Sequence, residues 1–228
     1  MIENRQTWVI ILALLMMAGC LDWRYDLLPP RIKPLENSIV IEKPLVEVWN
    51  AAVPAIGKQF FVINNLDKSS GFINISYGGD PEAYVDCGRI ISYVKNARGE
   101  RTWDFSAAKA DQVYEVLDHS GFYTIRRRMS LDGRMNLVFE EMGPTRTRVT
   151  ANTRYIITRS IQVEGFRRDD SSISFNSGSV GYFPVIGPEP DATKCVATGK
   201  LERDVLSLIN GGELHPHSRS PENWSDLE

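Results

Sequence analysis

The sequence predicts an α+β fold, a curved antiparallel sheet packed on an N-terminal and a C-terminal helix in a single domain. Three observations carry that expectation: a β-α-β-β order from Ser38 to Tyr77, a three-stranded meander from Phe122 to Thr158, and an amphipathic helix over about Thr198 to Ile209. Such an order lets one face of a sheet and one stripe of each helix bury against each other.

The first unit opens with a short strand, Ile39-Val40-Ile41. Pro44 then suits the first turn of a helix, because its missing N–H has no intrahelical partner there. Leu45, Val48, Trp49, Ala52, Val53 and Ile56 follow at one-stripe spacing, with Pro54 expected to kink the helix and Gly57 to close it. Phe60 to Asn64 and Phe72 to Tyr77 alternate as strands around the turn Asp67-Lys68-Ser69-Ser70-Gly71.

Between residues 78 and 121, Gly78-Gly79-Asp80-Pro81 and Asp86-Cys87-Gly88 are loops, and Ile90 to Val94 is a short strand. Residues 104–118 fit either a helix, through Ala110, Val113, Tyr114 and Leu117, or a strand over Val113 to Leu117. The meander is then drawn as Phe122 to Leu131, an Asp132-Gly133 hairpin turn, Arg134 to Glu140, a Gly143-Pro144 turn, and Arg146 to Thr158. In its last strand Arg146, Arg148, Thr150, Asn152 and Arg154 share one face, while Thr147, Val149, Ala151, Thr153 and Tyr155 share the other. The final helix presents Leu201, Val205, Leu208 and Ile209 and stops at Asn210-Gly211-Gly212, leaving residues 213–228 as a polar tail expected to be disordered.

The N-terminus carries an address. A short n-region, an apolar run from Trp8 to Met17 and the small residues Ala18-Gly19 before Cys20 describe a signal peptide over residues 1–19. The run is too short to span a hydrocarbon core that needs roughly 20 helical residues. Ala18-Gly19-Cys20 resembles the lipobox of bacterial lipoproteins, which implies diacylglycerol on Cys20, cleavage before it and a further acyl chain. Several acyl chains together anchor a protein stably. In that family Asp directly after the cysteine favours the inner membrane. Leu21 stands there instead, so the resemblance implies an outer-membrane protein facing the periplasm. Residues 20–37, with Pro29, Pro30 and Pro34, are expected to be a lipidated tether, the alternative being that its apolar residues Trp23, Tyr25, Leu27 and Leu28 dock on the domain or the lipid surface, and residues 38–212 the periplasmic domain.

With Cys20 acylated, Cys87 and Cys195 remain. An oxidising compartment favours a disulfide between them, the alternative being two buried thiols. Neither has Cys/His metal spacing.

The β-α-β-β stretch and the closing helix resemble the helix-grip class. Ser38 to Tyr77 in particular is similar to the periplasmic domains of the C-subunit lipoprotein of the outer-membrane β-barrel assembly machine. Tyr84-Val85-Asp86-Cys87-Gly88, Asn152-Thr153-Arg154-Tyr155 and Cys195 to Glu202 resemble a group of proteobacterial lipoproteins without known activity. That resemblance implies a shared fold and disulfide.

At 43% hydrophobic and 24% charged residues, with a formal charge of −3 and a pI near 5.7, the chain lacks the basic field of a nucleic-acid binder. No Gly-x-Ser-x-Gly, Walker A, His-Glu-x-x-His or Gly-x-Gly-x-x-Gly motif occurs. Asp80, Glu82 and Asp86 lack EF-hand spacing, His119 sits in a polar loop, and His215 and His217 lie in the tail. The charge concentration is arginine: Arg126, Arg127, Arg128 and Arg159, with Arg146, Arg148 and Arg154 on one face, which is more simply an ordinary solvent face and, as the minority reading, a face for an anionic partner. The expectation is therefore a non-enzymatic lipoprotein without cofactor or metal, held to a membrane by its lipid and binding or scaffolding an envelope protein. The alternative is a carrier of a hydrophobic ligand between sheet and last helix. Against it, Tyr123, Ile125, Leu137, Phe139, Val149 and Tyr155 are bulky enough to meet the helix directly.

Overall fold

A computed structural model describes residues 22–96, 99–119, 121–166, 168–185 and 192–213. The fold is mostly β. This corrects the α+β expectation of a sheet packed on N- and C-terminal helices: the described residues hold two short helices and several antiparallel sheets. The chain also divides into two compact units where the sequence suggested one domain. Unit 1 comprises residues 22–34, Gly78–Asp132 and Arg154–Thr198; unit 2 comprises Leu35–Tyr77, Gly133–Thr153 and residues 199–213.

In unit 1, Asp22–Leu28 (β1), the first part of the expected tether, is a strand, in keeping with the alternative that its apolar residues dock on the domain. It pairs antiparallel with Arg89–Asn96 (β6) from Asp22↔Lys95 to Leu28↔Arg89, and Gly99–Ser106 (β7) completes the sheet β1-β6-β7. Gly88 makes this possible. Its φ of +85° is a left-handed value, and a Cβ there would stand 2.0 Å from the Leu28 carbonyl oxygen. The neighbouring Asp86 carboxylate accepts N–H bonds from Gly88 at 2.7 Å and Arg31 at 2.9 Å, fixing the proline-rich stretch to the sheet.

The open choice over residues 104–118 resolves as strand. Asp111–Asp118 (β8) pairs with the start of Gly121–Glu141 (β9), burying Tyr114 and Val116 on one face while Val113 is exposed. The polar stretch after the meander contributes Asp169–Asn176 (β11), an edge strand on Thr147–Val163 (β10) whose Ile173 and Phe175 alternate with serines and Asn176. A third small sheet joins Val180–Tyr182 (β12), Lys194–Ala197 (β13) and Val85–Asp86 (β5). Register there pairs Val196 with Asp86, and the next residues, Cys195 and Cys87, form a disulfide with S–S 2.04 Å.

In unit 2, Ser38–Ile41 (β2) pairs with the first half of β10, and the helix Leu45–Gly57 (α1) follows. Val48, Trp49, Ala52 and Ile56 are its buried stripe, and it runs through Pro54 to Gly57. Val62–Asp67 (β3) and Phe72–Gly79 (β4) form a hairpin next to the second half of β9, with β3 at the edge. The core is built from Ile73, Ile75, Met135, Leu137, Phe139, Val149 and Ala151 of the sheet. Trp49 meets Phe139 edge-on at 5.3 Å. The second helix, Lys200–Ile209 (α2), buries Leu201, Val205, Leu206, Leu208 and Ile209 and packs beside α1. It ends in a Schellman motif: Gly211 has φ +89°, its N–H reaches the Leu208 carbonyl, and the Gly212 N–H reaches Ser207. Of the bulky residues expected beneath this helix, Leu137, Phe139 and Val149 belong to unit 2, whereas Tyr123, Ile125 and Tyr155 belong to unit 1.

Asp132-Gly133 is not a turn. β9 passes straight through it over 21 residues, so the expected three-stranded meander is one hairpin of two long strands, closed at Gly143-Pro144 by the Met142 N–H to Arg146 carbonyl bond. Gly133 is buried and is not among the glycines with positive φ. A Cβ there would stand 3.3 Å from Leu201 Cδ2, so this glycine serves close approach of helix and strand rather than chain reversal.

Candidate functional site

The most organised polar surface is the outer face of the unit 2 sheet. Alternation on β4 turns Ile73 and Ile75 into the core and leaves Phe72, Asn74 and Ser76 on the other side. On β9 Met135 and Leu137 are buried and Asn136 is exposed. A register shift between Ile63 and Asn65 on β3 makes Asn64 the extra residue of a bulge, a device that re-aims a side chain.

These placements align three carboxamides across three strands. Asn64 Nδ2 donates to Asn74 Oδ1 at 2.8 Å, and Asn74 Nδ2 donates to Asn136 Oδ1 at 2.6 Å and to the Met135 carbonyl at 3.4 Å. Ser76 Oγ donates to Asn64 Oδ1 at 3.4 Å. On β10 the same face carries Asn152, which accepts from Asn37 Nδ2 at 3.0 Å, and Thr150, whose hydroxyl meets Ser38 at 3.2 Å. A carboxamide offers two N–H donors and two acceptor lone pairs. Each link of the row consumes one of each, so the row retains hydrogen-bonding capacity toward solvent while its geometry is fixed. Sequence reasoning missed it because Asn64, Asn74 and Asn136 become neighbours only through strand register and a bulge.

The arginine face is dispersed. Alternation does expose Arg146, Arg148 and Arg154, but the first two lie in unit 2 and Arg154 in unit 1. Arg146 pairs with Glu42 at 3.0 Å, Arg148 stands opposite Val40 in register, and Arg154 donates to Ser174 Oγ at 3.1 Å. On β9, Arg126 and Arg128 both contact the Asp111 carboxylate, at 2.5 and 3.4 Å, and the hydrogen bond from Arg126 foremost holds that carboxyl below its usual range.

Arg127 and Arg159 are the surprise, at 1% and 0% exposure. Arg127 donates to the Ala107 carbonyl at 3.1 and 3.3 Å. Arg159 donates to the Pro184 carbonyl at 2.7 Å and to Thr193 Oγ1 at 3.4 Å, with its guanidinium 4.6 Å from the centroid of the Phe183 ring. Both guanidinium groups bind the chain's own loops.

The acidic loop serves structure as well. Asp80 Oδ1 accepts the Glu82 N–H at 2.9 Å, and the oxygens of Asp86 are engaged as described above. Among the described residues no group of three or more His, Cys, Asp or Glu side chains is placed to hold a metal. Asp67 is pulled down to about 2 by hydrogen bonds from the Ser69 and Ser70 hydroxyls and backbone, which lock the β3–β4 turn. His119 lies edge-on to Trp23 at 5.4 Å. Cys20, His215 and His217 lie outside the described residues. No helix among the described residues is long and apolar enough to cross a membrane.

Comparison with known protein families, curated proteins and solved structures gives no match for this chain.

Proposed function

We propose that the protein is a non-enzymatic lipoprotein of the bacterial outer membrane, anchored through Cys20 and facing the periplasm, whose folded part is a binding module for an envelope component. The observation that carries this reading is the Cys87–Cys195 disulfide. Structural disulfides belong to oxidising compartments, which supports export. Of the three cysteines, the bond leaves only Cys20, at the end of the apolar leader, for acylation.

The outer face of the unit 2 sheet is the binding surface. Its carboxamide row is largely uncharged and prealigned, so it suits a partner recognised by hydrogen bonds more than one drawn by charge. Labelling cells with a palmitate analogue should mark the wild type and leave Cys20→Ala unmarked; equal labelling of the two would remove the anchor. Partner capture from crosslinked envelopes should fall several-fold in an Asn74→Ala, Asn136→Ala variant that still folds. Unchanged capture would assign binding to another surface.

A further inference from the structure

We propose that one end of unit 1, carrying Trp23, Phe122 and Phe166, rests directly on the lipid surface; the inference depends on the anchor at Cys20 proposed above. Cys20 precedes Asp22, the first residue of β1, by two residues, and an extended residue spans at most about 3.6 Å, so the reach is about 7 Å. An acylated Cys20 therefore holds this end of the sheet at the bilayer with no length to lift it away.

Strand register identifies what else lies at that end. Asp22 pairs with Lys95, and Lys95 with Glu100, so the β6–β7 connection is there. The contact of Trp23 with His119 brings in the β8–β9 connection, and Arg101 lies 6.0 Å from the centroid of the Phe122 ring. The Glu164 N–H bonds the Thr124 carbonyl and Phe166 meets Tyr123 at 6.1 Å, which adds the segment after β10. Trp23, Phe122 and Phe166, from three separate segments, are 37%, 45% and 63% exposed. Exposed aromatic rings at an edge that chain length holds against a membrane match the interfacial layer, where such rings are favoured.

Charge does not supply the attraction. Lys95 pairs with Glu100 at 2.5 Å, Arg101 with Glu115 at 2.8 Å and Arg168 with Asp170 at 2.8 Å, so these cations are already met by carboxylates. The contact should be as strong on phosphatidylcholine as on anionic lipid.

The test uses the lipidated protein, from Cys20 onward and carrying the palmitate mark, reconstituted in phosphatidylcholine nanodiscs brominated near the glycerol end of the acyl chains. In a Trp23→Phe background, a reporter is placed by Phe166→Trp, and a control by Tyr182→Trp on β12. Tyr182 is exposed and follows Gly181, whose position against Phe175 puts it toward the opposite end of β11 from Asp169. Bromolipid should at least halve the emission added by the Phe166 reporter and leave the Tyr182 reporter unchanged. Marked protein in which neither reporter is quenched, or both are quenched alike, overturns the docking while leaving the anchor intact. Protein that carries no palmitate mark overturns the anchor and the docking together.

Discussion

Gly133 serves packing rather than chain reversal. Asp-Gly between alternating segments is a strong hairpin signal, yet here the backbone is extended and the glycine makes room for Leu201 of α2. A larger side chain should force helix and strand apart without hindering any turn. Gly133→Val is expected to destabilise the protein by about 1 to 3 kcal/mol, the usual range for overpacking. Chemical denaturation measures this, and an unchanged midpoint would mean that the close approach has no energetic weight. The buried arginines carry a related lesson. Arg127 and Arg159 sit in a sequence pattern that also produces surface charge, and their burial against partners such as the Ala107 and Pro184 carbonyl groups is what distinguishes their role.

Among the elements, both helices and the strands with one buried face were legible, because their apolar residues repeat at the period of the structure they form. The α1 stripe, the alternation of β10 and the glycine stop of α2 all belong to this group. The edge strand β3 was legible in its hairpin with β4, but the edge strands β7 and β11 were not. β7 has Trp103 and Phe105 as its only large apolar residues, and β11 has Ile173 and Phe175, so neither buries enough surface to impose a period. β1 was hidden by the prolines that follow it and by its nearness to the apolar run at the N-terminus, although its pairing with β6 extends over seven residues. The candidate site was illegible for another reason: its asparagines lie on separate strands, and their adjacency is a property of register. A tether and a strand differ in what happens when they are removed. Deleting residues 22–28 is expected to cost about 2 kcal/mol or more through loss of the half-buried Tyr25 and Leu27, whereas removing a tether would cost nothing. Thermal unfolding of the truncated protein distinguishes the two.

For the molecule as a whole, the disulfide is the main covalent restraint. It closes a loop across 108 residues, and Cys87 and Cys195 are both buried. On the chain-entropy account such a cross-link stabilises by about 4 to 5 kcal/mol, so Cys87→Ala with Cys195→Ala should lower stability by that order in equilibrium denaturation. A loss below about 1 kcal/mol would contradict the entropic account. Because the sulfurs are buried, reductant should open the bond only as fast as unit 1 itself opens.

The two units are interleaved along the chain, and this sets an order in time. Unit 1 needs β13, near residue 197, before its third sheet can form, and unit 2 needs α2, which ends at Ile209, before its core is covered. Neither can finish before the chain has been made well into its C-terminal fifth. A polypeptide of this design stays open until residues 197 and 209 have been made, a condition that the export proposed above would require. Cys87 and Cys195 therefore meet only late, once β13 has joined β5.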